Sequence, residues 1–153
     1  MQDVRARLEH GEFFRQVPGA YEALVDIDQA VEATGFDRGL AELVKLRVSQ
    51  INGCAFCLGF HLAQARRAGV PQRKLDLVAS WHDAPVFNSG ERTALRWAEA
   101  LTLMPHHPIP DALHAETRSA LGEARLAQLT VIVALANAWN RIGGAWRFTP
   151  PTA

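Results

Sequence analysis

Apolar residues recur every three or four positions along most of this chain, and no stretch of five or more residues alternates cleanly between apolar and polar. The first pattern is typical of amphipathic helices, whereas strict alternation is typical of half-buried strands. The sequence therefore predicts an all-α protein of about six to seven helices. Its 153 residues fit one domain, residues 1–153, which can bury a core without the help of disulfides.

Prolines, glycines and polar caps set the ends of seven predicted helices. Their bounds are 18–35, 37–52, 54–69, 71–81, 89–104, 110–121 and 123–142. Asp37 is the expected N-cap of the second helix, Gly53 its break, and Ser89 the expected cap of the fifth. The seventh helix is apolar around most of its circumference, which predicts a central place in the core or at a subunit interface. The tryptophans at positions 97, 139 and 146 are interpreted as packing residues.

The two cysteines of the chain, Cys54 and Cys57, lie at the start of the third predicted helix, with His61 one turn further on. At about 100° per residue, the three side chains fall within roughly 60° of one another on the helix surface. Cys54 would lie in the first turn, where free N–H groups and the helix dipole favour a thiolate. Cys57 would instead have an imidazole within reach as a base. This combination predicts a redox-active dithiol.

Glu42 is the remaining candidate residue for the site. It lies on the preceding helix, so a chain reversal at Gly53 brings it to nearly the same level as His61. Because helical side chains lean towards their own N-termini, Glu42 leans away from the turn and His61 towards it, and we expect a water between them. We predict a relay from Glu42 through His61 to sulfur, in which Glu42 orients the imidazole and stabilises its protonated form.

The charge balance excludes several classes of partner. Lys plus Arg and Asp plus Glu number 16 each, so no excess positive charge is present to bind nucleic acid or an anionic membrane surface. No apolar run approaches the roughly 20 residues that span a bilayer, and the N-terminus has charges where a secretory signal needs an apolar stretch. We therefore expect a soluble cytoplasmic protein, in which a cysteine pair is more often catalytic or metal-binding than structural.

Other interpretations of the cysteine pair stay open at this point. Two buried thiols can act simply as small apolar side chains. A zinc site would add a fourth ligand, such as His106 or His107, to the two thiols and the imidazole, but the sequence lacks a second paired set of ligands. A c-type haem would need histidine where Leu58 stands, and a thioredoxin-like fold would need a strand where residues 42–51 have helical periodicity. We predict a site with neither metal nor cofactor.

The residues from Glu42 to Cys57, followed by His61, closely resemble the core of the AhpD-like alkylhydroperoxidases within the carboxymuconolactone decarboxylase superfamily. Later segments of the chain match as well, so the resemblance covers most of residues 18–148. These later segments are 81–87, 91–102 and 137–141. The specificity of the match rests on the shared spacing of the glutamate, the two cysteines and the histidine.

The resemblance implies an AhpD-like helical bundle that assembles as a homo-oligomer, either a trimer or a hexamer. It also implies an alkyl hydroperoxide reductase in which peroxide oxidises Cys57 to a sulfenic acid and Cys54 then closes a disulfide. Glu42 and His61 would serve as the proton relay. A protein or small-molecule dithiol, a lipoyl-type carrier in the best-known members, would restore the thiols by attacking Cys54, which we expect to be the more exposed sulfur.

One position departs from the family pattern. Members with strong peroxidase activity can carry a second histidine between the two cysteines, where this chain has Phe56. The lactone decarboxylases of the superfamily lack the cysteine pair, which argues against their activity here. A non-catalytic redox sensor or adaptor and a zinc-binding structural module are the alternative functions.

Overall fold

Helices account for all the regular secondary structure in residues 4–152, the part of the chain that the computed structural model describes. Eight α-helices follow one another: α1 His10–Gln16, α2 Ala20–Glu32, α3 Arg38–Asn52, α4 Ala55–Arg67, α5 Gln72–Leu77, α6 Ser89–Thr102, α7 Asp111–Leu121 and α8 Glu123–Trp146. A short 3-10 helix, Val78–Ser80, continues α5. The predicted all-α class is confirmed, and the predicted number of helices is one too low.

α3 is the central helix, and it buries three of its faces. Its apolar residues divide between two hydrophobic clusters, with Val44 and Val48 in one and Leu43 and Leu46 in the other. The third buried face is polar and carries Glu42, Lys45 and Ser49, whose spacing of three and four residues aligns them along the helix. The fold therefore brings ionisable side chains into its interior.

The first cluster joins α3 to α8, as the apolar texture of the seventh predicted helix indicates. α8 supplies Leu126, Leu129, Ile132, Val133 and Ala136, and α6 packs Ala94, Trp97 and Ala98 against them. The second cluster lies on the opposite side of α3, between α4, α5, α6 and the loop that ends at Phe87. Within residues 4–152 no single helix is long and apolar enough to cross a membrane, and α7 with α8 reaches that length only across a bend of 116°.

Several helix ends differ from the predicted ones by a turn or less. α5 ends at Leu77 and continues as the 3-10 helix to Ser80, and α8 runs on to Trp146. The N-cap of α6 is Asn88 and not Ser89: its side chain accepts a hydrogen bond from the Glu91 N–H, and the Glu91 carboxylate accepts one from the Asn88 N–H. The acid three residues after Asn88 makes this reciprocal box, which Ser89 cannot form.

The helix that the sequence pattern did not predict is α1. It has seven residues and buries none of them fully, so it lacks the apolar stripe on which the other predictions rest. Contacts with the far end of the chain hold its segment in place: the Arg7 N–H donates to the Trp146 carbonyl at 2.9 Å, and the Thr149 hydroxyl donates to Glu9 at 2.7 Å. Because these partners are about 140 residues away in the chain, no pattern in the sequence near α1 indicates this helix.

The capping box of α6 gives a direct test of this helix start. We expect Asn88→Ala to lower the free energy of unfolding by about 1 kcal/mol, the usual cost of losing an N-cap side chain. Ser89→Ala is the matched control, since the exposed Ser89 side chain makes no capping hydrogen bond, and it should change stability by less than about 0.5 kcal/mol. Urea unfolding of both variants measures the difference, and equal losses would contradict the assignment.

Candidate active site

A sharp reversal at Gly53 sets the two cysteines in place. Gly53 has a φ of 66°, a left-handed conformation that glycine adopts without strain. The chain then starts α4 at once, with Cys54 as its N-cap residue. The Cys54 sulfur accepts a hydrogen bond from the Cys57 N–H at 3.3 Å. The two cysteines form a disulfide, with their Cα atoms 5.4 Å apart.

The two sulfurs have different surroundings. Cys54 and Cys57 are both buried, at 1% and 3% exposed, but Cys57 lines a cavity of about 350 Å³ and Cys54 does not. The expectation that Cys54 is the more exposed sulfur is therefore wrong. Cys54 is buried by tertiary packing, because α8 approaches the start of α4 at Gly143, next to Phe148 in the segment that follows α8.

Gly143 on α8 is a site residue that the sequence pattern did not single out. A Cβ atom at this position would lie 3.2 Å from the Cys54 sulfur, 3.3 Å from the Cys57 sulfur and 3.6 Å from the Phe148 ring. Glycine is thus the residue that lets α8 approach the disulfide this closely. A glycine inside a long helix is the signal that could have pointed to it.

His61 and Glu42 are in direct contact. Nδ1 of His61 lies 2.8 Å from Oε2 of Glu42, and both side chains are buried. The expectation of an intervening water is wrong, because α3 and α4 pack side by side closely enough after the reversal for the carboxylate to reach the ring. With Glu42 ionised, Nδ1 carries the proton and donates it, so that Nε2 is the basic nitrogen.

The basic face of this imidazole is open. Nε2 of His61 has no hydrogen-bond partner among residues 4–152, although every fully buried side-chain nitrogen or oxygen in that part of the chain has one. Nε2 is therefore reached from the cavity that His61 and Cys57 line together. In the disulfide form, the Cys57 sulfur lies 3.7 Å from the Trp139 carbonyl oxygen, and among the described residues no hydrogen bond joins it to His61.

Two further charged residues extend the contact between His61 and Glu42. Nζ of Lys45 lies 3.1 Å from Oε1 of Glu42 and 2.6 Å from Oδ1 of Asp28 on α2. The Lys45 side chain is buried, whereas that of Asp28 is 43% exposed. Sequence analysis did not assign either residue to the site. The signal was the polar face of α3, where Lys45 follows Glu42 by three residues between apolar residues that are buried.

Pairing keeps these buried groups charged. Burial would raise the pKa of Glu42, but hydrogen bonds and charge attraction from His61 and Lys45 outweigh it and hold that pKa below its ordinary value. Burial would likewise lower the pKa of Lys45, but the carboxylates of Glu42 and Asp28 outweigh it and raise that pKa. Glu42 is thus an anion and Lys45 a cation throughout the neutral pH range.

The walls of the cavity are largely apolar and aromatic. α2 contributes Tyr21, Val25 and Val31, α4 contributes Phe56 and Phe60, and α8 contributes Ile132, Leu135, Ala136 and Trp139. Trp139, interpreted from the sequence as a packing residue, is thus part of the candidate site. Four of the ionisable groups at the cavity, Asp28, Lys45, Glu42 and His61, are joined by contacts, and this set includes the relay residues predicted with Cys57.

α1 covers one side of this cavity through His10. The His10 ring stacks on Phe56 with centroids 5.5 Å apart and contacts Phe14, Tyr21 and Phe148 at 5.0 to 5.5 Å. Burial lowers the pKa of His10, so its imidazole is neutral at neutral pH. The helix that the sequence did not predict therefore places a neutral imidazole over Phe56, next to Cys57.

A chain of amides ties α3 to α8 next to the reversal. The side-chain amide of Asn52 donates to Asn140 at 2.8 Å and to Asn137 at 3.0 Å, and Asn140 donates to the Ser49 hydroxyl at 3.0 Å. These bonds join the last turn of α3 to the part of α8 that precedes Gly143. They fix the position of α8 relative to the end of α3, on either side of the disulfide.

The zinc interpretation requires a group of ligands that this fold does not assemble. Within residues 4–152, no three or more His, Cys, Asp and Glu side chains come together in a way that could hold a metal ion. His106 and His107, the expected fourth ligands, lie in the exposed loop after α6. The cysteines are instead paired with each other.

The chain is similar to one protein family and to several known proteins. The sequence profile of the carboxymuconolactone decarboxylase family matches residues 18–100. The uncharacterized protein YdfG of Bacillus subtilis strain 168 is 31% identical over 130 residues, which cover 85% of this chain and 88% of that protein. The uncharacterized protein YnjA of Escherichia coli K12 is 33% identical over 110 residues, covering 71% of this chain and 59% of that protein.

Two solved structures are similar to the whole fold. One is the protein of unknown function ATU0492 of Agrobacterium tumefaciens, suggested to be an antioxidant defence protein, AhpD. It superposes with a TM-score of 0.89 at 29% identity, covering 97% of this chain and 100% of that one. The other, an uncharacterized peroxidase-related protein from Silicibacter sp. TM1040, has a TM-score of 0.73 at 24% identity, covering 86% and 70% of the two chains. The AhpD-like helical fold is thereby confirmed.

The close approach of α8 to the disulfide is testable at a pair of adjacent glycines. We expect Gly143→Ala to lower the free energy of unfolding by about 1–3 kcal/mol, since its methyl group overpacks the site against both sulfurs. Gly144→Ala is the matched control, because a Cβ there meets nothing within 4 Å, and it should stabilise the helix by up to about 1 kcal/mol. Denaturant unfolding of the oxidised proteins measures both changes in the free energy of unfolding. If Gly143→Ala left this free energy unchanged, the close packing of α8 on the disulfide would be contradicted.

The pairing of Glu42 predicts how stability depends on pH. Because its pKa is lowered on folding, the stabilisation is complete above the ordinary value of 4.5 and is lost as the pH falls through the lower folded value. We expect the wild type to lose more stability than Glu42→Gln between about pH 6 and about pH 3. Urea unfolding across this range measures both slopes. Parallel slopes would show that Glu42 is not preferentially ionised in the folded state.

Proposed function

Because the chain belongs to the carboxymuconolactone decarboxylase family and has its cysteines at disulfide distance, we propose that it is a thiol-dependent peroxidase that reduces organic hydroperoxides. The observation that carries the proposal is the placement of Cys57, which opens into an apolar cavity beside the free Nε2 of His61. The similarity to ATU0492, suggested to be an antioxidant defence protein, supports the same class of activity.

The oxidative step begins with proton transfer from the Cys57 thiol to Nε2 of His61. Glu42 stabilises the resulting imidazolium through its contact with Nδ1. The thiolate then attacks the terminal oxygen of the hydroperoxide, the O–O bond breaks, and the alkoxide takes the proton from His61 to leave as an alcohol. The sulfur has been oxidised to a sulfenic acid, and the peroxide has been reduced by two electrons.

The resolving step uses the second cysteine. Cys54 lies at the N-terminus of α4, where its sulfur already accepts the Cys57 N–H, a position that favours a thiolate. The Cys54 thiol loses its proton as its sulfur attacks the Cys57 sulfenic acid, the S–O bond breaks, and the departing hydroxide takes up that proton and leaves as water. A dithiol, from a protein or a small molecule of the lipoyl type, then reduces the disulfide and becomes a disulfide itself.

The cavity supports an organic peroxide as the substrate. A space of about 350 Å³ lies within the range of small-molecule binding sites, which begins at about 300 Å³. Its aromatic and aliphatic walls favour an apolar group attached to the peroxide, since burial of that group removes apolar surface from water. The homo-oligomeric state and the cytoplasmic location expected from the sequence stay predictions.

The roles of the two cysteines give the deciding experiment. We expect one equivalent of an organic hydroperoxide to remove both thiols of the wild type together. Cys54→Ser should instead trap a sulfenic acid at Cys57, because no second thiol is present to resolve it. Labelling with a sulfenic acid reagent followed by mass spectrometry of the peptides locates the oxidised sulfur, and a steady-state assay with dihydrolipoamide measures turnover.

Cys57→Ser is the matched control and should show no rapid oxidation by peroxide. A sulfenic acid that forms at Cys54 only, in the Cys57→Ser protein, would reverse the two roles. Stoichiometric oxidation of the wild type without turnover, whichever dithiol is supplied, would favour a redox sensor or adaptor over an enzyme. The absence of any reaction of either thiol with hydroperoxides would rule out the proposed activity.

A further inference from the structure

Lys45 is held between two carboxylates, and it lies nearer to the one outside the relay. Its Nζ is 2.6 Å from Oδ1 of Asp28 on α2 and 3.1 Å from Oε1 of Glu42. The other oxygen of Glu42 contacts Nδ1 of His61 at 2.8 Å. The four side chains thus form one line of contacts, Asp28 to Lys45 to Glu42 to His61, in which acidic and basic side chains alternate.

The charges of this line do not cancel while His61 is neutral. Two carboxylates face one ammonium, which leaves one uncompensated negative charge. Protonation of His61 brings the four groups to neutrality. Charges interact more strongly in a partly buried site than in water, so the excess negative charge attracts a positive charge placed on the His61 ring. Asp28 is the residue that creates the excess, since Lys45 and Glu42 alone would balance.

Among residues 4–152, the other charged groups that line the cavity do not alter this balance. Glu32 and Arg38, which also line the cavity, form a pair of their own at 4.0 Å. The cavity residues of α8 carry no charge, and those of α4 add none beyond His61. On the far side of α3, Arg47 pairs with Glu99 of α6. His10 on α1, the remaining imidazole at the cavity, is neutral at neutral pH because burial lowers its pKa.

We propose that Asp28 is a positioning residue of the relay: it draws the Lys45 ammonium away from Glu42, so that Glu42 is left to stabilise the positive charge that His61 gains from Cys57. This inference rests on the proposed function, because it takes the relay from Cys57 to His61 as given. Asp28 touches neither reacting atom and acts through Lys45. Its effect is on how readily the Cys57 thiol ionises.

Asp28→Asn isolates the charge of this residue. The amide keeps an oxygen that can accept the Lys45 hydrogen bond, and the Asp28 side chain is 43% exposed, so the substitution is compatible with the fold. Asp26→Asn is the matched control, since Asp26 is an exposed acid on the same helix. Both variants lose the same charge, and one of them lies outside the line of contacts.

The experiment measures the ionisation of Cys57 in a Cys54→Ser background, where it is the only thiol. The rate of alkylation by iodoacetamide is recorded against pH, which reports the fraction of thiolate without any peroxide. We expect Asp28→Asn to raise the pH of half-ionisation, giving about three- to tenfold less thiolate below that midpoint. Asp26→Asn should leave the midpoint unchanged within error, and urea unfolding confirms that both variants are folded.

A third arm tests whether the effect passes through the imidazole. In a His61→Gln background, Asp28→Asn should shift the midpoint by much less, because the two substitutions act on the same line of contacts. An unchanged midpoint in Asp28→Asn, or an equal shift in Asp26→Asn, would overturn the inference. Alkylation needs no peroxide, so these outcomes test the role of Asp28 separately from the proposed function. If hydroperoxides failed to react with the protein, only the proposed peroxidase activity would be contradicted.

Discussion

The burial of charge on α3 is the constraint on which the rest of the site depends. α3 is the central helix, yet one of its buried faces carries Glu42 and Lys45. A carboxylate and an ammonium are tolerated in a protein interior only when each meets opposite charge and hydrogen bonds. The partners come from the two neighbouring helices, Asp28 from α2 and His61 from α4. The contacts that make this face of the core stable therefore also set the position of the imidazole.

The reversal at Gly53 gives the two sulfurs unequal positions, which a C-x-x-C spacing alone does not. Cys54 caps α4 and lies under Gly143, while Cys57 is one turn deeper and faces the cavity. A small neutral molecule that enters the cavity meets Cys57 first. Access to Cys54 requires displacement of the cover made by α8 and Phe148. The asymmetry of the proposed chemistry thus follows from packing around the dithiol.

Local patterns predicted the seven helices that bury an apolar stripe, together with the four residues of the proposed relay. They failed where partners are distant in the chain. α1 has no buried stripe and is held by contacts with Trp146 and Thr149, and Gly143 meets the sulfurs only after α8 has docked. The sequence correctly placed Glu42 and His61 at nearly the same height along their helices, but it wrongly predicted a water between them. The direction in which helical side chains lean can be inferred from the sequence, whereas the distance between the two helices cannot.

The sequence analysis also missed the charged residues that extend the contact between Glu42 and His61, namely Lys45 and Asp28. Lys45 follows Glu42 by three residues, so their contact could be inferred from helical spacing. The contact of Asp28 with Lys45 could not, because it depends on where α2 docks in the fold, and α2 packs on α8. Sequence spacing therefore predicted which residues of the proposed site come together, whereas the electrostatic balance around them required the tertiary structure.

In the proposed reaction, an ionised sulfur in an apolar cavity needs a compensating positive charge, and the fold supplies one without moving charge far. Loss of hydration destabilises a thiolate at Cys57, while the proton it releases stays close by on His61, whose charge Glu42 matches. In the proposed step, cleavage of the O–O bond transfers negative charge to the alkoxide, which takes back the same proton. The charge of the site is the same before and after the step, so the apolar walls oppose neither the entry of a neutral peroxide nor the departure of a neutral alcohol.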